Sequence, residues 1–193
     1  MKILFANKYF YLKGGAEYVC FDSAKLLENK GHNCIYFSMH HQNNLTSAYD
    51  KYFVSNVDYE KNTVKNKIDS SVKLLYSFEA KRKAEALIKE EMPDIAHLHN
   101  IYHQISPSII HALKKFHIPV VMTLHDYKMA CASYHMLAHE RICEACKGGK
   151  YYQCFFKKCV KGSKGKSLLN TMEMYLHHKI LHVYDLVDVF ISP

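Results

Sequence analysis

KILFANKYFYLKGGAEYVCFDSAKLLENKGHNCIYFS, residues Lys2–Ser38, decides the fold. Lys2–Ala6 is a short, unbroken apolar run, the pattern of a strand buried on both faces of a parallel sheet. Lys13-Gly14-Gly15-Ala16-Glu17 then opens a segment in which Val19, Cys20, Ala24, Leu26 and Leu27 recur at helical spacing up to Gly31, a residue suited to ending a helix. Asn33–Ser38 reads as a second strand, so the stretch is one strand–helix–strand unit. Paired glycines allow a backbone to approach a ligand, and a following helix N-terminus favours anions. The full G-x-G-x-x-G pattern is absent, and a tight turn without a ligand is the other reading of Gly14-Gly15.

The same alternation continues outward. Lys51–Ser55 reads as a short strand and Asp58–Asp69 as an exposed polar segment rich in Lys and Asn. Ser70–Met92 reads as one long helix ended by Pro93. Asp94–His99 is a strand, Ser108–Phe116 a helix introduced by Ser106 and Pro107, and Pro119–Leu124 a strand. A segment at residues 128–166 follows, holding five of the seven cysteines. Ser167–Tyr184 reads as an amphipathic helix and Asp188–Ser192 as a last strand. The class is α/β, doubly wound, with a mostly parallel sheet and a cysteine-rich insertion. The 193 residues fit one domain, and an ending on a core strand reads as a cut at a domain boundary.

Composition narrows the function classes. No run approaches 18 apolar residues, and the N-terminal run Ile3–Ala6 is too short for a signal peptide, so a cytoplasmic location is expected. Thiols are then expected to stay reduced or to bind metal. The net charge of +8 suits an acidic partner or plain solubility. The 15 tyrosines scatter without an RNA-stacking pattern, so no nucleic-acid partner is expected. Neither a phosphate-loop motif nor a nucleophile elbow occurs.

Candidate chemistry gathers at the carboxyl ends of the expected strands, where open α/β sheets bind ligands. His97, His99 and Asn100 close one strand, with both histidines on one face; His125 and Asp126 close the next. Such histidines hydrogen-bond a hydroxyl, carry a proton or bind metal, and a capped strand end without a ligand is the plain alternative. Cys143, Cys146, Cys154 and Cys159 form a C-x2-C-x7-C-x4-C series, which suits a structural zinc. Metal-free thiols and disulfides are the alternatives, and Cys131, His135 and His139 are substitute ligands. Cys20 and Cys34 read as packing residues. Phe155 and Phe156 with Lys157, Lys158, Lys161, Lys164 and Lys166 make a basic aromatic patch that suits anionic lipid headgroups, or else a solvated loop.

Three motifs in order, KILFANKYFYLKGGAE (Lys2–Glu17), PDIAHLHN (Pro93–Asn100) and PVVMTLHDYKMAC (Pro119–Cys131), resemble the N-terminal domain of a family 4 glycosyltransferase. The resemblance spans nearly the whole chain. It implies a Rossmann-like, acceptor-side domain of a two-domain GT-B enzyme that transfers a sugar with retention from a nucleotide-sugar to a glycan or lipid-linked acceptor, as in bacterial cell-surface polysaccharide synthesis. It implies that Gly14, Gly15 and Glu17 lie near the donor phosphates, that His125 and Asp126 lie at the reacting centre, and that His99 and Asn100 shape the acceptor side. It also implies a missing C-terminal donor domain, since no glutamate here has another eight positions on. No catalytic metal is implied. A non-catalytic module binding a phosphorylated ligand is the competing class.

Overall fold

The computed structural model describes residues 1–56 and 71–192. Among them seven strands form: β1 (Lys2–Ala6), β2 (Asn33–Phe37), β3 (Ile95–Leu98), β4 (Val120–Thr123), β5 (Leu137–Ala138), β6 (Arg141–Ile142) and β7 (Val189–Ile191). All but β5 and β6 join one sheet of order β2-β1-β3-β4-β7, in which every pairing is parallel. The expected α/β class and Rossmann-like sheet are thus present. Ile3, Leu4, Phe5 and Ala6 are all buried, as a run without alternation requires. Cys20 and Ala24 of helix α1 (Gly15–Asn29) pack on Ile3, Phe5 and Cys34, which makes both cysteines core residues. The chain builds from β1 to β2 on one side and to β3 on the other. The carboxyl ends of β1 and β3 therefore flank the point where the strand order reverses.

The long helix expected from Ser70 to Met92 is broken. Residues 71–75 are helical, but helix α2 begins only at Phe78 and runs to Glu91. Ser77 causes the break. Its hydroxyl accepts the Ala80 N–H (3.1 Å), its own N–H donates to Ser106 Oγ (2.9 Å), and its carbonyl accepts from Ser108 Oγ (2.8 Å). With its N–H committed to a residue 29 positions away, Ser77 cannot continue the helical ladder that precedes it, and its carbonyl starts the next one by accepting the Lys81 N–H (3.1 Å). Helix α3 follows at Ser108–Lys115. In place of a strand at Lys51–Ser55 there is a 3-10 turn, Asp50–Tyr52, and a single parallel bridge between Met39 and Val54. The polar segment Asp58–Asp69 lies outside the described residues.

Two compact units divide the chain: Met1–His125 with Val183–Pro193, and Asp126–His182. The cysteine-rich segment placed at 128–166 falls inside the second unit, which also takes the following helix. That unit contains the β5–β6 hairpin, helix α4 (Tyr152–Phe156) and helix α5 (Lys164–Tyr175), which passes into a wider turn at Leu176–Ile180. α5 starts three residues before the expected Ser167, because Ser163 caps it by accepting the Lys166 N–H (3.4 Å). No helix among the described residues is long and apolar enough to cross a membrane.

Candidate functional site

Asn7, the first residue after β1, organises the sheet edge. It is buried, its Nδ2 donates to Tyr9 O (2.9 Å) and Glu17 Oε1 (3.2 Å), and its Oδ1 accepts the Asn100 N–H (3.2 Å). Lys8 N–H donates in turn to Asn100 O (3.0 Å). The loops after β1 and β3 are thereby fastened to each other and to the first turn of α1. Glu17 is buried inside this network, so it supports the glycine turn and does not present a carboxylate to a ligand. Asn100 contributes backbone groups to the same network. Gly14 precedes the helix with extended backbone and offers no side-chain cap. A Cβ at Gly14 would sit 3.6 Å from Glu17 Oε2, and a Cβ at Gly15 would meet nothing within 4 Å.

Three histidines cluster beside this turn, placed by the registers of β3 and β4. His97 Nε2 lies 2.8 Å from Thr123 Oγ1, and His99 Nδ1 lies 2.9 Å from His125 Nε2. The His97 and His99 rings are 4.2 Å apart between centroids, as their shared face predicts, and His99 also stacks on Phe5 at 6.0 Å. His99 is 0% exposed. Burial, reinforced by His97 and His125, pushes its pKa down to about 2, and burial with His125 pushes His97 down to about 4. Both rings are neutral near pH 7. A ring so enclosed does not touch an acceptor, and His99 instead holds the half-buried His125. Asp126 belongs to the second unit, where its carboxylate accepts the Lys128 N–H (2.8 Å). Asn7 and Thr123 went unremarked in the sequence; a lone Asn directly after a buried strand was the signal for the first.

In the second unit the thiols of the expected set gather around one small core and the cavity beside it. Cys154 is buried in a small core with Ala132, Cys146, Tyr151 and Met174, on which Cys159 packs. Cys146, together with Cys131 and Cys143, also lines a cavity of about 360 Å³. Cys131 and Cys146 interact directly, which draws the Cys131 thiol down and pushes the Cys146 thiol up. Among the described residues no three His, Cys, Asp or Glu side chains are grouped to hold a metal ion. Of the expected set, Cys146, Cys154 and Cys159 share the small core, and Cys143 lines the cavity with Cys146. The same unit hides an ion pair that the sequence did not suggest, Lys128 Nζ to Glu173 Oε2 at 2.6 Å, with side chains 1% and 0% exposed.

Residues 13–145 match the family model for Glycosyltransferase Family 4. The chain belongs to Glycosyltransferase Family 4. The resemblance read from the three motifs is thereby borne out, and the domain is of the glycosyltransferase type. The matched span of this family 4 chain takes in the glycine turn, His97, His99 and His125; Cys146, Cys154 and Cys159 lie beyond it. No curated protein and no solved structure matches the chain.

Proposed function

We propose that this chain is the acceptor-side half of a retaining glycosyltransferase, transferring a hexose from a nucleotide-sugar to a glycan or lipid-linked acceptor in cell-surface polysaccharide synthesis. One observation carries the reading: the uncapped start of α1 and the His99–His125 pair occupy the same carboxyl edge of β1, β3 and β4. Glycine at position 15 leaves open space beside a helix N-terminus, where backbone N–H groups and the helix dipole favour a pyrophosphate. His125, its ring held by a neutral partner, orients the transferred sugar or the acceptor hydroxyl. As the sugar becomes oxocarbenium-like, charge grows on the leaving phosphate, and its electrostatic stabilisation is the main catalytic task. The greater part of nucleotide binding falls to a second α/β domain, so Met1–Pro193 alone is expected to be inactive. Exposed Phe156, beside exposed Lys158, Lys161, Lys164 and Lys166, supports contact with the anionic cytoplasmic face of a membrane.

The test is release of nucleoside diphosphate by the full-length protein from a panel of uridine, guanosine and thymidine diphosphate sugars, with glycan and lipid-linked acceptors. His125→Ala is expected to slow turnover about 100-fold and, by leaving buried His99 Nδ1 unmatched, to cost about 1–3 kcal/mol of stability. The reading fails if no nucleotide-sugar is bound or consumed, or if the variant matches the parent.

A further inference from the structure

The loops that leave β1 and β2 carry rings and cations that the reading above does not use. Tyr11 and His41 are stacked, with centroids 4.8 Å apart and planes 22° from parallel. Tyr9 stands edge-on to both, at 5.3 Å from Tyr11 and 5.7 Å from His41. Two ammonium groups lie over the Tyr9 ring, Lys13 Nζ at 4.0 Å and Lys8 Nζ at 5.0 Å from its centroid. Lys13 Nζ also donates to Tyr9 Oη at 2.8 Å. Among the described residues no carboxylate forms a salt bridge with Lys8 or Lys13.

The cluster is held by backbone bonds, not by chance side-chain contact. Met39 N–H donates to Lys8 O (3.3 Å), Ser38 Oγ donates to the same carbonyl (3.0 Å), and Leu45 N–H donates to Phe10 O (2.9 Å). Asn7 Nδ2 fixes the Tyr9 carbonyl while holding Glu17 in the first turn of α1. The rings are half-buried and Lys13 is exposed, so the cluster is both shaped and reachable. Rings topped by two cations that form no salt bridge among the described residues match a ligand with a flat C–H face and an anionic group: a sugar ring bearing a carboxylate or a phosphate. A neutral sugar would leave both ammonium groups unmatched, and a bare anion would leave the rings unused.

We propose that Tyr9, Tyr11 and His41, with Lys8 and Lys13, form a subsite for an acidic saccharide, placed to hold the acceptor beside the Gly14–Gly15 turn. The word acceptor rests on the function proposed above; the binding of an acidic sugar does not, and it needs no turnover.

The experiment is ligand-observed NMR titration of the 193-residue chain with methyl β-D-glucoside, methyl β-D-glucuronide and glucose 6-phosphate. The two acidic sugars are expected to bind about fivefold tighter than the neutral one, the size of one exposed charge contact. The double variant Lys8→Gln, Lys13→Gln is expected to equalise all three, and His41→Ala to weaken all three together. If only one acidic sugar is preferred, the proposal holds for that acid group and names it. It is overturned if the neutral sugar binds as tightly as both acids, or if the preference survives in the double variant. It is also overturned if uridine diphosphate displaces the acidic sugars competitively, since the lysines then serve the donor. Activity lost in His125→Ala with this preference intact separates the two readings.

Discussion

In the first unit the strands and helices bury what an apolar pattern would bury, Leu4, Ile35, Leu87, Leu98 and Ile109, and the buried polar residues Asn7, Ser77, His99 and Ser106 sit at strand ends and loops. In the second, helix α5 buries Ser167, Asn170, Thr171 and Glu173 while Leu168 and Met172 stand 44% and 50% exposed. Beside Met174, the inner face of α5 is largely polar, and its polar groups have partners. Asn170 Nδ2 donates to Ala132 O (3.1 Å), Thr171 Oγ1 to Ser167 O (2.8 Å), and Glu173 holds Lys128. Burying polar groups is costly only when they are left unmatched. The elements of the first unit are therefore held mainly by area, whereas α5 adds buried pairing to a small apolar core, and the two should fail in different ways.

The largest effect is expected at the ion pair. Lys128→Met strips a buried carboxylate of its ammonium and should cost about 3–5 kcal/mol, measured by urea unfolding. The double change Lys128→Met, Glu173→Leu should recover that loss, because two apolar groups need no partner. If the single variant is harmless, the second unit is not organised by pairing and the contrast collapses. Leu98→Ala in the first unit should cost about 2–5 kcal/mol through the cavity it leaves. No second substitution of partner type should rescue it.

Acid sharpens the contrast further. The His97 pKa is pushed down to about 4 in the folded protein, against about 6.5 in the unfolded chain. Between those values the unfolded state binds more protons, so stability should fall as pH drops from about 6.5 towards 4. His99, pushed lower still, adds to the same slope. Replacing His97 with Gln should flatten the dependence above pH 5, where carboxylates add little; an unchanged slope would place the titration elsewhere. The smallest effect on stability is expected from Gly15→Ala. The new methyl group enters open space at a helix start and should change stability by less than about 1 kcal/mol. Nucleotide-sugar turnover by the full-length protein should nevertheless fall. Retained turnover would remove the glycine turn from the donor site.

The same contrast explains what the sequence could say. Strands β1 to β4 and helix α1 were legible because burial on both faces and 3.6-residue spacing are written locally. The break at Ser77 was not, since its cause lies at Ser106 and Ser108. The buried face of α5 was not legible because Leu168 and Met172 lie at the spacing of a hydrophobic stripe yet face water, while the partner of Glu173 sits 45 residues earlier. At the candidate site, His99 and His125 were each visible at a strand end. Their pairing across 26 residues, which turns His99 from a contact into a support, depends on sheet register. The C-x2-C spacing showed which thiols lie near one another, but that Cys146 and Cys154 share a core with Ala132 and Met174 depends on packing across the unit.

The position of β7 bears on synthesis. β7 pairs with β4 through Val121 and Val189, and Val120 N–H donates to Asp188 Oδ2 (2.7 Å) across 68 residues. All of Asp126–His182 must leave the ribosome before that bond can form. Until then β4 is an open sheet edge on a nascent chain, available to any extended segment. The time taken to synthesise the second unit therefore sets the least time for which the first unit stays open to mispairing.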